Sequence, residues 1–200
     1  MSIIILTETQ MGYSQADKQD THDRIVRTAA ARFRELGIDG ISVADLMKDA
    51  GLTHGGFYKH FESRDHLVAE AVECALAEGD ATLRGVLEKG KPTLARLVQA
   101  YLSEAHRDHP AEGCGIAALS ADVSRSTKKA RAIYDRQIES NIAIVEKLLG
   151  DTPKNERRAK ALGIIATLAG ALAIARAAGD PALSREVLRS VGKELIERHA

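Results

Sequence analysis

The chain has 200 residues, 28 basic and 28 acidic side chains, zero formal net charge and 44% hydrophobic residues, few of them aromatic. That balance excludes a disordered or collagen-like chain and a strongly basic nucleic-acid coat, and it allows one or two soluble domains with a sizeable core. Two cysteines, Cys74 and Cys114, make no disulfide framework, and the start has an apolar run of only four residues without a basic leader, so a cytoplasmic protein is expected.

Ala, Leu, Arg and Glu dominate the long middle segments and only 4 prolines interrupt them, which predicts an all-α fold. Residues 1–18 lack periodicity and read as a flexible arm. A first helix follows over 20–36, with Ile25, Ala29 and Phe33, flanked by Val26, Ala30 and Leu36, as its core stripe and Gly37 as its stop.

Residues 42–61, SVADLMKDAGLTHGGFYKHF, are the most informative stretch. Val43, Leu46, Met47 and Ala50 fall at i, i+3, i+4 and i+7, so one helix face is apolar, and Ser42 can cap its start. Gly51 then allows a left-handed turn, Thr53 is placed to cap a second helix, and Phe57 and Phe61 give that helix a buried face. Its other face carries His54, Gly55, Tyr58, Lys59 and His60. Two short helices joined by a glycine turn form a helix-turn-helix, whose second helix enters the DNA major groove. Gly55 and Gly56 each cost roughly 1 kcal/mol relative to Ala in a helix interior. What they offer is close approach of the backbone to another surface, and a duplex is the natural candidate. Basic residues Arg24, Arg27, Arg32, Arg34, Lys48, Lys59 and Arg64 are interleaved with Asp23, Glu35, Asp45, Asp49 and Asp65, so DNA binding would rest on a few aimed contacts doubled by a dimer.

Ser63 can cap a long helix bearing Leu67, Val68, Ala71, Val72, Ala75 and Leu76, which Gly90 and Pro92 end. A helix over 93–106 with Leu94, Leu97, Val98, Tyr101 and Leu102 comes next, then a loop over 109–115 and helices over 116–123 and 128–149. The last two helices, 156–178 and 182–199, are separated by Gly179, Asp180 and Pro181. The apolar stretch 159–175 contains Lys160 and is rich in Ala and Gly. It falls short of the roughly 20 strongly apolar residues that span a bilayer and reads as a buried helix.

The stretches RIVRTAAARFRELG, IDGISVADLMKDAGLTHGGFYKHF and SRDHL resemble the TetR family of one-component transcriptional regulators over 21–67. The spacing of Phe33, Gly37, Gly40, Val43, Ala50, Gly51, Tyr58, Phe61 and Leu67 carries the match. Met47 departs from it, standing where the family often has a small Ala, which implies a slightly wider helix crossing. The resemblance implies about nine helices: a three-helix DNA-binding domain over 19–66 and a ligand-binding and dimerisation domain over 67–200. It further implies a homodimer formed through the last two helices, where Gly163, Ala166, Gly170 and Ala173 would permit close packing. Its partners would be a pseudo-palindromic DNA operator and a small-molecule effector that releases the repressor from DNA.

In that frame Tyr58, Lys59 and His60 would lie at the phosphate backbone, with Thr53 at the helix start and His54 and Gly55 toward base edges. Ser42 and Arg24 are flanking phosphate candidates, although Ser42 could be only a helix cap and the whole set only a solvated helix face. Leu97, Tyr101, Cys114, Ile116, Leu119 and Tyr134 are the candidate effector lining, each of which could equally be core. Cys114, entering a helix between two glycines, could sense an electrophile or oxidant, because thiols at helix amino termini ionise more readily; the bland alternative is a small buried side chain. Cys74 reads as packing. His106, His109 and Cys114 match no common zinc spacing, and no metal or cofactor is expected. Cys114 with His106 or His109 is the one candidate catalytic set, unsupported by a nucleophile elbow, phosphate loop or paired carboxylates, so no enzyme is expected. A helical scaffold with a degenerate helix-turn-helix is the remaining alternative, and Thr53, Tyr58 and Lys59 speak against it.

Overall fold

The computed structural model describes residues 15–199, which form nine α-helices and two short 3-10 segments with no strand among them. α1 (Gln15–Leu36) buries Ile25, Ala29, Ala30 and Phe33 and ends at Gly37, whose φ of 79° costs a residue without Cβ little. Gln15 to Lys18 are therefore helical and not part of an arm; the rest of the expected arm lies outside the described residues. α2 (Val43–Asp49) starts where the Ser42 hydroxyl oxygen accepts the Asp45 N–H. Gly51, at φ 72°, turns the chain into the 3-10 helix His54–Lys59. Ser63 caps α3 (Arg64–Glu88), accepting the His66 N–H at 3.2 Å.

The helix expected over 93–106 is two helices, α4 (Leu94–Tyr101) and α5 (Glu104–Asp108). Leu102 leaves helical geometry at ψ 36°, and Ser103 accepts the His106 N–H at 3.1 Å, so a new cap competes successfully with continuation. A 3-10 turn, Pro110–Glu112, leads into α6 (Gly115–Ser124), followed by α7 (Lys128–Leu148), α8 (Lys154–Ala177) and α9 (Pro181–His199).

Two apolar cores result. One joins Phe33, Met47, Phe57 and Phe61 to Leu67, Val72 and Leu76 of α3, to Ile116, Leu119 and Val123 of α6, and to Ile133 of α7. It therefore runs across the boundary expected at 66/67, and α3 with α6 fastens the helix-turn-helix to everything after it. The second core joins α4, α7, α8 and α9 through Leu97, Val98, Ile142, Ile164, Leu168 and Leu188.

α8 corrects the expectation of a buried helix. By length and composition it is long and apolar enough to cross a membrane, yet only 33% of its most apolar window is buried. Ala161, Ile164, Leu168, Leu172 and Ala175 face the core. Leu162, Gly163, Ala166, Ala173 and Ile174 form a second apolar stripe on the open side, with Ile174 59% exposed. The high hydropathy comes from two apolar faces, only one of which the described residues cover.

Candidate functional site

The 3-10 helix is held from beneath by Phe57, which stacks on Phe61 with ring centroids 5.4 Å apart. Both rings are almost wholly buried, and burial of each contributes about 1.5–3 kcal/mol, so the short helix borrows its stability from the core. Phe61 itself lies just past the helix end. Above this anchor His54, Gly55, Tyr58 and Lys59 are exposed, Tyr58 at 73%. A large aromatic left in water beside a cation, at the mouth of a rigid turn, suits contact with an external surface.

Thr53 has the extended backbone of a cap, but its side chain makes no capping bond. The tight first turn explains this: the Gly56 N–H, the donor such a cap would take, goes to the Thr53 carbonyl at 3.0 Å. A Cβ on Gly55 would meet nothing within 4 Å, so no internal contact requires that glycine. A Cβ on Gly56 would stand 3.6 Å from the Met47 methyl, an ordinary contact. Met47 is fully buried against that space, so the flexible side chain fits the crossing.

His60 departs from the expected exposed set. It is half-buried, its ring lies 6.2 Å from His22 and 6.4 Å from Phe61, and its Nδ1 is buried without a hydrogen bond. Burial, and then neighbouring His22, lower its pKa from the ordinary 6.5. His22 stacks on Phe61 at 4.6 Å and bonds Glu70 at 2.6 Å, and His66 reaches the same carboxylate at 3.0 Å. The aromatic anchor draws His60 inward.

Ser42 is exposed, yet its hydroxyl already donates to Asp45 Oδ2 at 2.6 Å, as expected of a cap. Arg24 is exposed on α1. The interleaved charges divide into two groups. Arg32 pairs with Asp49 and Glu35, Arg34 with Glu78, and Arg64 donates to the Ile38 and Ile41 carbonyls, so these three build the fold. Arg24, Arg27, Lys48 and Lys59 remain exposed.

A cavity of about 80 Å³ opens among α3, α4, α6 and α7. Leu97, Tyr101, Cys114 and Ile116 line it; Leu119 and Tyr134 do not. Leu119 is fully buried in the first core, and the Tyr134 hydroxyl donates to the Ile116 carbonyl at 3.2 Å behind the wall, where burial pushes its pKa up to about 12. The α3 wall, with Leu76, Gly79, Leu83 and Val86, was not legible as lining. Its one signal is Gly79, a glycine inside a long helix, whose added Cβ would stand 3.6 Å from the Cys114 Cα.

Cys114 is the N-cap of α6, as its position between glycines suggests. Burial, reinforced by neighbouring Cys114, raises the Tyr101 pKa well above its ordinary value. His106 Nε2 accepts the backbone N–H of Cys114 at 3.0 Å and does not face the thiol, while the His109 ring bonds the Ala105 carbonyl at 2.8 Å. Neither histidine is placed as a base for the sulfur. Cys74 donates weakly to Glu78, and burial pushes its pKa up to about 11.

Residues 25–71 match the family model for bacterial regulatory proteins of the tetR family. A helix-turn-helix transcriptional regulator of Mycobacterium tuberculosis is 27% identical over 81% of this chain and 87% of its own length. The transcriptional repressor NemR of Escherichia coli is 23% identical over 69% of this chain and 71% of its own. Its reduced crystal structure superposes with a TM-score of 0.71 over 88% of this chain and 95% of that one, at 22% identity. A TetR-family regulator from Cytophaga hutchinsonii gives a TM-score of 0.76 over 92% and 97%, at 20% identity. With its helix-turn-helix, its all-helical architecture and these relatives, the chain matches the tetR family of bacterial regulatory proteins over its DNA-binding region and has the fold of TetR-family regulators.

Proposed function

We propose that the protein is a cytoplasmic homodimeric repressor that binds a pseudo-palindromic operator and is released when a small molecule occupies the cavity beside Cys114. The observation that carries this reading is the exposed set His54, Gly55, Tyr58 and Lys59 on a helix pinned by Phe57 and Phe61. Thr53 and the N–H groups of the first turn would meet a phosphate, Tyr58 and Lys59 the adjoining backbone, and His54 with the open side of Gly55 the base edges. Arg24 and Ser42 stand at the flanks.

The dimer reading is supported by the second stripe of α8, where a Cβ on Gly163 or Gly170 would meet nothing within 4 Å. Leu162, Ile174 and Leu183 are 43%, 59% and 50% exposed beside it. Small residues flanked by exposed aliphatic ones suit the α8 and α9 of a second copy, which would set two recognition helices about one DNA turn, ~34 Å, apart. Replacing Lys59 with Ala should weaken binding to every duplex and reduce the salt slope by about one unit. An unchanged slope in a fluorescence titration removes Lys59 from the phosphate contacts.

A second reading, an electrophile or oxidant sensor of the same architecture, is favoured by one observation: Cys114 caps α6 in the cavity wall, which it shares with Tyr101. A C114S variant that keeps its full response to thiol-reactive compounds excludes it.

A further inference from the structure

The segment joining α5 to α6 is tied to two distant helices by arginines that belong neither to the exposed face nor to the cavity lining. Arg176 of α8 donates to the Arg107 carbonyl at 3.2 Å and to the His106 carbonyl at 2.7 Å. Arg34 of α1, with a side chain only 2% exposed, donates from Nε to the Ala111 carbonyl at 2.6 Å, from Nη1 to the Ala75 carbonyl at 3.1 Å and from Nη2 to Glu78 at 2.7 Å. Three residues further on stands Cys114, in the cavity wall. His106 closes the segment on itself, with Nδ1 at 2.7 Å from the Tyr101 carbonyl and Nε2 accepting the Cys114 N–H. The segment has no slack: a Cβ on Gly113 would fall 3.2 Å from His106 Nε2, and one on Gly115 would fall 3.3 Å from the Ala75 backbone.

A planar guanidinium serving three acceptors cannot follow one of them without re-aiming toward the others. One route from the wall at Cys114 to α1 thus runs through the Ala111 carbonyl, beside the direct packing of Pro110–Glu112 on α1. We propose that Arg34 is the coupling residue that relays occupation of the cavity to α1, and so to the helix-turn-helix packed on it. The inference rests on the effector-release reading above, and its test keeps the two apart.

The test uses the full chain with Cys74→Ala, alkylated at Cys114 by iodoacetamide. The sulfur displaces iodide, so an S–C bond forms, the C–I bond breaks, and iodide and the thiol proton leave to solvent. The small amide thus enters the wall at a known atom. Hydrogen exchange read by mass spectrometry should rise by roughly fivefold or more both in 109–115 and in the last two turns of α1. With Arg34→Met the rise in 109–115 should persist while α1 stays within roughly twofold of the unmodified protein. Arg34→Lys keeps the charge beside Glu78 but lacks the fork; it should behave as Arg34→Met does, and it serves if the methionine variant does not fold. An α1 response that survives either Arg34 substitution overturns the relay, as does alkylation that leaves 109–115 unchanged. If α1 responds through Arg34 but a bound duplex is not released, the effector-release reading fails and the relay stands. If the duplex is released while α1 ignores Arg34, the relay fails and release stands.

Discussion

Gly55 separates a residue kept for the fold from one kept for an outside surface. No side chain or backbone atom approaches the place its Cβ would take, so Gly55→Ala should leave the protein as stable or raise its stability by roughly 0.4–1 kcal/mol. The added methyl would stand between the 3-10 helix and the proposed duplex, and binding should fall by about tenfold, some 1.4 kcal/mol. Thermal melting and a DNA titration on the same preparation check both halves, and a variant equally good at both places Gly55 away from the DNA. His60 and His106 carry a pH prediction. Burial is the first cause lowering both from the ordinary 6.5. Below pH 6.5 the unfolded chain then binds more protons than the folded one, so their contribution is fully present above that value and is lost as the pH falls through the lowered folded-state values. Denaturant midpoints measured from pH 7.5 to 5 should decline on the acid side, and H60Q H106Q should flatten the decline.

Helix boundaries were legible wherever a cap or a left-handed glycine stood at the end of an apolar period: Ser42, Ser63, Gly37 and Gly51 all sit where their chemistry places them. The break between α4 and α5 was not, because the apolar pattern runs through Leu102 while Ser103 caps locally, and period alone does not weigh those two terms. The division of arginines was equally hidden. Arg32, Arg34 and Arg64 differ from Arg24 only in which acids and carbonyls the tertiary fold brings to them. The candidate lining was half legible: Leu97, Tyr101, Cys114 and Ile116 converge, whereas Leu119 shares their polarity but points into the core. α8 shows the limit of reading hydropathy, since a helix buried on one side and apolar but exposed on the other has the composition of one buried all round. Ile174→Glu should weaken self-association by about a hundredfold or more, since each copy would bury a carboxylate without a partner. Sedimentation should show monomers with unchanged helicity, and a variant that remains dimeric puts the interface elsewhere.

Across the whole molecule, zero net charge and a short recognition element make one copy a weak reader of DNA. In the proposed dimer, symmetry would supply what charge does not, because two rigidly spaced helices would double a few aimed contacts and impose a fixed half-site separation. The first core, shared by the helix-turn-helix, α3 and α6, would give that spacing a mechanical link to the cavity, which α3 and α6 also line. Selection of bound sequences from random duplex DNA by the purified protein tests this most directly. A two-fold symmetric site with half-site centres about 10 base pairs apart, or a multiple of that, should be enriched, and the enrichment should be lost with Lys59→Ala. Enrichment of no sequence, or of a single half-site without symmetry, contradicts the proposed dimer.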